Sequence, residues 1–415
     1  MVAPDFLGGG ARAVARCDAL KLPPFSDSAE GLTRTYLSPA YHAAQDQIAA
    51  WMAEAGMSVR RDAAANLIGR YEGRAAGAEA LVIGSHIDSV RNAGAYDGPL
   101  GIMLGIEAVA ALSSSGTQLP FAVEIYAFGD EEGSRFPAAM LTSRAVAGTL
   151  DPAALEVTDR DGVRLGDLVD LAAYPSAARA PGEVIAYLEA HIEQGPVLEA
   201  EGLALGTVTG IAAQLRFEIG LSGTAGHAGT TAMGLRRDAV AGMAEMVLAA
   251  EAVATAGPAD LVATVGVVEV PSGAANVIAG RSRFTLDVRA GDAGVRDRAA
   301  DEVLRRFRDI AGRRDLGLSV RQVHDLPASP CDPALMDLLE EATVAAGHRP
   351  FRLVSGAGHD AMIMAALCPT AMLFLRCRGG VSHNPAEHVE PADAEAALAV
   401  MSGFIKRLGA KLEPA

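Results

Sequence analysis

At 415 residues the chain exceeds the ~100–200 residues of a typical domain, so two domains are expected. Its 35 Lys and Arg against 51 Asp and Glu give a formal charge of -16, which excludes the basic footprint of a nucleic-acid binder or of a protein drawn to anionic membranes. A small-molecule substrate is expected instead, with any anion drawn in by local cationic groups. Half of the residues are apolar but only 5% are aromatic, so the interior must come mainly from Ala, Val, Leu, Ile and Met. Cys17, Cys331, Cys368 and Cys377 show no C-x-x-C spacing and read as free thiols of a reducing compartment. Residues 1–22 lack a charged segment followed by an apolar run, and the apolar stretch 101–112 is too short for a bilayer. A cytoplasmic location is therefore expected.

In chain order, Ser38-Pro39 opens a periodic stretch through Ile48, Trp51 and Met52 that Gly56 closes, the pattern of a capped amphipathic helix. Residues 80–84 and 121–128 are apolar runs ending in polar clusters, with a helical pattern over 100–112 between them, and so form a candidate β-α-β unit. The clusters then lie at the carboxyl ends of strands, where open α/β sheets bind ligands. From 212 onward the rhythm becomes strand (215–221), helix (235–254), strand (261–270), strand (281–288), helix (294–313) and strand (318–323). This β-α-β-β-α-β order predicts a ferredoxin-like domain over 212–324, inserted into an α/β domain made of 1–211 and 325–415. Asp332-Pro333 opens a further helix that Gly347 closes, 371–375 is a strand, and 391–408 is a last helix.

The chemistry-bearing residues sit in those polar clusters. His86 ends the first strand, and Asp97 follows in a Gly-rich loop. Glu131 and Glu132 emerge together after the second strand; on an extended backbone they would point opposite ways and do different jobs. His191 and His383 lie in two further clusters. Taken singly, each segment also reads as a satisfied core histidine or a solvated acidic loop. Together, His86, Asp97, Glu132, His191 and His383 supply imidazoles and carboxylates that one sheet edge can gather, a donor set suited to Zn²⁺ and equally to Mn²⁺, Co²⁺ or Ni²⁺.

GSHIDSV (84–90), YDGPLGI (96–102), FGDEEGSRFP (128–137), HIEQGPVLE (191–199), GTAGHAGTT (223–231), GAANVI (273–278), LDVRA (286–290), SGAGHDAM (355–362) and SHNPAEHV (382–389) occur in this order. In these motifs the chain resembles the M20 metallopeptidase/amidohydrolase superfamily, and closely its allantoate amidohydrolase and N-carbamoyl-L-amino-acid hydrolase branch. The resemblance implies a zinc-peptidase-like catalytic domain around a central mixed sheet, with the inserted domain serving as lid and dimerisation domain. It implies two divalent ions per subunit, bridged by Asp97, with His86 and His191 completing one site and Glu132 and His383 the other. Asp88 would orient His86, and Glu131 would be the general base that later protonates the leaving nitrogen. An imidazole at 191, where the peptidases commonly have a carboxylate, marks the ureide-hydrolysing branch.

In the inserted domain, the resemblance makes His227 a donor to the developing oxyanion. Asn276 and Arg289 would bind substrate, Arg289 by forking onto its carboxylate, while Gln194 and His359 would line the pocket. Because His227, Asn276 and Arg289 belong to one domain and the metal ligands to the other, a closing motion or a homodimer partner must complete the site. His42, His324, His348 and His388, the Met362 and Met364 stretch and the Arg236-Arg237 pair read as packing or surface. Ala232 stands where many relatives have Pro, which loosens a turn without removing an acting group. The stretches 32–40, 128–137 and 373–389 lean toward allantoate as the small carboxylate-bearing ureide substrate. N-carbamoyl-L-amino acids, β-ureidopropionate and, more distantly, dipeptides are the alternatives.

Overall fold

The computed structural model describes residues 8–271 and 273–413 and divides the chain into two compact units. The first comprises Met1–Thr209, Cys331–Leu353 and Gly358–Ala415; the second comprises Gly210–Pro330 and Val354–Ala357. The expected insertion at 212–324 is thus widened at both ends and takes in a short return segment. The ends of the expected outer domain, residues 1–7 and 414–415, lie outside the described residues.

The chain runs α1 (Gly9–Leu20), α2 (Pro39–Glu54), β1 (Ser58–Arg61), β2 (Leu67–Tyr71), β3 (Ala80–His86), α3 (Pro99–Ser114), β4 (Ala122–Phe128), α4 (Leu141–Val146), β5 (Val184–Ile192), α5 (Val197–Ala200) and β6 (Leu205–Ile211). The second unit holds β7 (Ala213–Ser222), β8 (Gly226–His227), α6 (Ala239–Thr255), β9 (Val262–Thr264), β10 (Val268–Glu269), β11 (Val277–Ile278), β12 (Arg281–Ala290), α7 (Ala293–Arg313), β13 (Gly317–Leu326) and β14 (Ser329–Pro330). The chain then continues through α8 (Pro333–Ala345), β15 (Arg352–Ser355), α9 (Asp360–Met364), β16 (Thr370–Leu375) and α10 (Pro391–Leu412).

In the first unit the strand order is β1-β2-β4-β3-β5-β16-β6. β4, β3, β5 and β16 are mutually parallel, and β1, β2 and β6 pair antiparallel at the flanks. Strands β3, β4 and β16 are buried at every position, as parallel strands covered on both faces must be. Helix α3 is pressed onto this sheet: a Cβ at Gly101 would stand 2.1 Å from the Ala190 carbonyl oxygen on β5, so only glycine fits there. The carboxyl ends of the parallel strands converge on one edge, with His86 opposite Phe128 and His191 opposite Phe374 in register.

The second unit packs α6 and α7 on one face of the sheet β10-β12-β7-β13, with β9 also paired to β12. Leu215, Phe217, Ile219, Leu286, Val288, Met246 and Phe307 form its core. Alternate positions of β7 and β12, including Arg216, Asp287 and Arg289, point to the opposite face. Two expected elements change. The helix expected from 235 begins at Ala239, because Asp238 caps it by accepting from the Val240 and Ala241 N–H groups. The strand expected over 261–270 breaks into β9 and β10, with Gly266 among the unpaired residues between them. Asp292 and Asp332 cap α7 and α8 as Ser38 caps α2, each worth ~1 kcal/mol against alanine.

Candidate metal centre

His86 is the last residue of β3 and is fully buried. Its Nδ1 lies 3.0 Å from the Asp88 carbonyl oxygen. A carbonyl only accepts, so Nδ1 carries a proton and Nε2 is the nitrogen turned to the strand-end cluster, free to bind a cation once it is deprotonated. The same device recurs at His191, whose Nδ1 donates to the Ile192 carbonyl at 2.9 Å. Both Nε2 atoms face one carboxylate: Asp97 Oδ1 is 3.2 Å from His191 Nε2 and 3.5 Å from His86 Nε2. Despite that distance, His191 Nε2 is buried without a partner in hydrogen-bond geometry. Gly98, next to Asp97, has φ +84, and a Cβ there would stand 2.7 Å from His86 Nε2, so the loop can approach the imidazole only with glycine.

The other Asp97 oxygen faces a second group. Asp97 Oδ2 is 3.4 Å from His383 Nε2, which is itself 3.5 Å from Glu132 Oε1. Three clusters of donor atoms form among the described residues: His86, Asp97 and His191; Asp97, Glu132 and His383; and His86, Glu131 and Glu132, with Asp97 common to the first two. These donors fit divalent cations: two buried imidazole Nε2 atoms, one of them orphaned, face carboxylates gathered largely out of solvent. Burial alone would raise the Asp97 carboxyl, but the facing His191 and His86 overcome that and hold it well below the usual range.

Glu131 and Glu132 are separated, although not by strand alternation. β4 ends at Phe128, and Asp130 adopts a left-handed φ of 59°, so both glutamates lie on a bend rather than on extended backbone. Glu131 Oε2 comes to 4.0 Å from His86 Nε2, while Glu132 turns to His383. Burial, offset in part by His86 and reinforced by Glu132, Asp360 and Asp88, pushes Glu131 well above the ordinary carboxyl value.

Asp88 meets His86 through its backbone carbonyl and not through its carboxylate. The carboxylate is 3.7 Å from His86 Nδ1, whose partner is the Asp88 backbone carbonyl. Its oxygens instead accept the Glu131 and Glu132 backbone N–H groups at 3.2 and 3.3 Å. Gln194, expected to line a substrate pocket, donates to Asp97 Oδ2 at 2.8 Å and to Ser382 Oγ at 3.2 Å, and the Ser382 hydroxyl also donates to Asp97 Oδ2. His359, expected in the same pocket, is buried edge-on against His191 with ring centroids 4.5 Å apart, and burial holds it well below the usual imidazole value. Both therefore touch the ligand cluster, and Gln194, half-buried, keeps its Oε1 without a partner.

In the second unit, His227 is exposed on β8, which pairs with β11 beside Asn276; the Asn276 carbonyl accepts the Ala228 N–H at 2.9 Å. The Gly229 N–H donates to His227 Nδ1 at 3.1 Å. The neutral ring then carries its proton on Nε2 and offers it outward. Arg289 is partly engaged: Nε and Nη2 lie 2.7 and 3.2 Å from the Asp287 carboxylate and Nη1 donates to the Gly356 carbonyl at 2.5 Å. Arg216, opposite Asp287 in register, grips the same carboxylate at 2.8 and 3.0 Å. Of the five guanidinium N–H groups of Arg289, two remain for a ligand.

Ser382, Glu387, Glu189 and Asp360 were not singled out by the sequence. Glu189 accepts from Ser85, Tyr187 and the Ala361 N–H beneath the cluster. Its signal was a carboxylate at the centre of an apolar strand, two residues before His191.

The comparisons with known proteins agree with this geometry. Residues 82–407 match the family described as Peptidase family M20/M25/M40. The N-carbamoyl-L-amino acid amidohydrolase of Geobacillus stearothermophilus is 42% identical over 362 residues, covering 86% of this chain and 88% of that protein. The allantoate deiminase of Arabidopsis thaliana is 40% identical over 430 residues, covering 95% and 81%. A crystal structure of a hydantoinase/carbamoylase family amidase from Burkholderia ambifaria superposes with a TM-score of 0.89 at 34% identity, covering 96% and 97%. With its mixed central sheet and its overlapping clusters of His, Asp and Glu at the strand ends, the chain belongs to peptidase family M20/M25/M40.

Proposed function

We propose that this chain is a metal-dependent amidohydrolase that cleaves a ureido C–N bond in a small carboxylate-bearing substrate, allantoate in the first instance. The observation that carries the reading is Asp97, shared between a donor cluster with the buried His86 and His191, whose Nε2 atoms face it, and a second with Glu132 and the exposed His383. Two divalent ions, Zn²⁺ or Mn²⁺ with Co²⁺ or Ni²⁺ as alternatives, would acidify a water molecule and polarise the ureido carbonyl. His86, Asp97 and His191 would hold one and Asp97, Glu132 and His383 the other.

Glu131 takes the proton of the attacking water on its carboxylate and delivers it to the leaving nitrogen; burial and a raised affinity for protons suit it to both steps. The Nε2–H of His227 donates to the oxyanion as it forms. Arg289 binds the substrate carboxylate through its remaining donors, and Asn276 contributes a polar contact. One ureido arm plus water then yields ammonia and carbon dioxide, leaving ureidoglycine. The same groups serve N-carbamoyl-L-amino acids, and the 42% identical carbamoylase relative supports that second reading as the allantoate deiminase relatives support the first. Among the described residues no helix is long and apolar enough to cross a membrane. The proposal includes a cytoplasmic homodimer acting on a small molecule.

The test is ammonia release from allantoate, from a panel of N-carbamoyl-L-amino acids and β-ureidopropionate, and amine release from dipeptides, by Zn²⁺- or Mn²⁺-loaded and chelated protein. Turnover of allantoate by loaded protein alone is expected. Turnover by metal-free protein, or of dipeptides only, overturns the reading.

A further inference from the structure

We infer that Glu387 is a positioning residue that fixes the Asp97 loop against the segment carrying His383, and so sets both metal clusters at once. Its Oε1 accepts the backbone N–H of Tyr96 at 2.7 Å and of Asp97 at 3.1 Å, across 291 and 290 residues of sequence. The side chain is buried. Its approach is built into the loop: a Cβ at Gly94 would stand 2.3 Å from Glu387 Cβ, so only glycine lets the carboxylate reach the two N–H groups.

The segment from Ser382 to Glu387 thus holds Asp97 at two levels. Ser382 donates to the Asp97 side chain, and Glu387 accepts from the Asp97 main chain. Between them stands His383, held in a left-handed conformation with φ +56, and Asn384 steadies the turn by accepting the Ala386 N–H at 2.9 Å. Asp97 belongs to two donor clusters and His383 to one. A loop error of a few tenths of an ångström at Asp97 would therefore be felt at both ions, since ligand distances are held to about ±0.2 Å.

The inference rests on the metal reading above, and the experiment separates the two. Zn²⁺ content and affinity are measured, by elemental analysis and by competition with a chromophoric chelator, for the full chain and for Glu387→Met, Glu387→Gln and Glu387→Asp, with circular dichroism and Tm as the folding check. Met has similar length but only a weak thioether acceptor, so Zn²⁺ affinity should fall ~10–100-fold, as for other groups that orient ligands. The Gln amide oxygen still accepts both N–H groups and should recover most of that loss. Should the Met variant fail to fold, Glu387→Asp takes its place: it keeps the charge one methylene short of the loop and should bind Zn²⁺ more weakly than Glu387→Gln. Wild-type affinity in the Met or Asp variant overturns the inference, as does a Gln variant no better than Met, which would mean that the charge acts and not the acceptor. If the unaltered chain binds no Zn²⁺, the metal reading itself fails.

Discussion

The Asp88 carboxylate accepts the main-chain N–H groups of both Glu131 and Glu132, at 3.2 and 3.3 Å, while the carbonyl of the same residue holds His86 Nδ1. One residue therefore sets the bend that separates the two glutamates. In Asp88→Asn the amide turns a donor toward one of these N–H groups, leaving it unpaired in a buried site. Activity or metal affinity should fall ~10–100-fold. Unchanged kcat and unchanged Zn²⁺ affinity would show that the bend needs no carboxylate.

Glu131 and Glu132 should part company on mutation. Glu131→Gln is expected to keep its metals and its KM and to lose ~10²–10⁴ in kcat. Glu132, which faces His383, should lose metal when changed to Gln. Elemental analysis beside steady-state kinetics decides, and exchanged phenotypes would reverse the two roles.

Protonation ties stability to the empty or loaded state of the centre. Burial is the main cause that pushes Glu132 and Asp360 up to about 8 in the metal-free chain. A carboxyl raised on folding binds more protons folded than unfolded, so its stabilisation is present at low pH and is lost as pH rises from about 4 toward 8. His86 and His191 are raised as well: burial opposes this, but Asp97 outweighs it. Their stabilisation is complete below the unfolded imidazole value and is lost as pH rises through the folded one, the same direction. Ligation needs ionised Glu132 and neutral imidazoles, so metal uptake releases protons. The Tm of chelated protein should fall from about pH 5 to about pH 8, and Zn²⁺ titration at about pH 7 in weak buffer should acidify the solution. A flat Tm with no proton release would contradict these shifts.

Arg289 shares Asp287 with Arg216, so Asp287 aims the guanidinium and offsets one of two positive charges. Arg289→Lys, which cannot fork, should raise KM for carboxylate-bearing substrates by ~10-fold or more. Asp287→Asn should raise it less and leave kcat nearly unchanged. Kinetics with the matching amide of the substrate provide the control: neither change should matter there if the carboxylate is the group recognised.

Mixing His227→Ala chains with Glu131→Gln chains tests whether His227 serves the metals of a partner subunit. If it does, random pairing leaves one intact site in each mixed dimer, and about a quarter of wild-type activity returns. A fully exchanged mixture with no recovery means that His227 acts within its own chain.

The sequence by itself determined the repeating strand and helix rhythm, because hydrophobic period and capping residues are local: Ser38, Asp332 and Gly347 mark helix ends that the structure keeps within a residue or two. It also named residues that the structure gathers at the strand ends, since His86, Asp97, Glu132, His191 and His383 stand in recognisable motifs after strands. Tertiary structure alone decided what lies around those donors. Nothing local in the sequence pairs Glu387 with the Asp97 loop, turns the Asp88 carboxylate from His86 to the glutamate bend, or sets Gln194 on Asp97. Those contacts join segments far apart in the chain, and their partners are largely backbone N–H groups that every residue but proline carries. Side-chain chemistry leaves a mark in sequence; a hydrogen bond to a distant main chain leaves none until the fold closes.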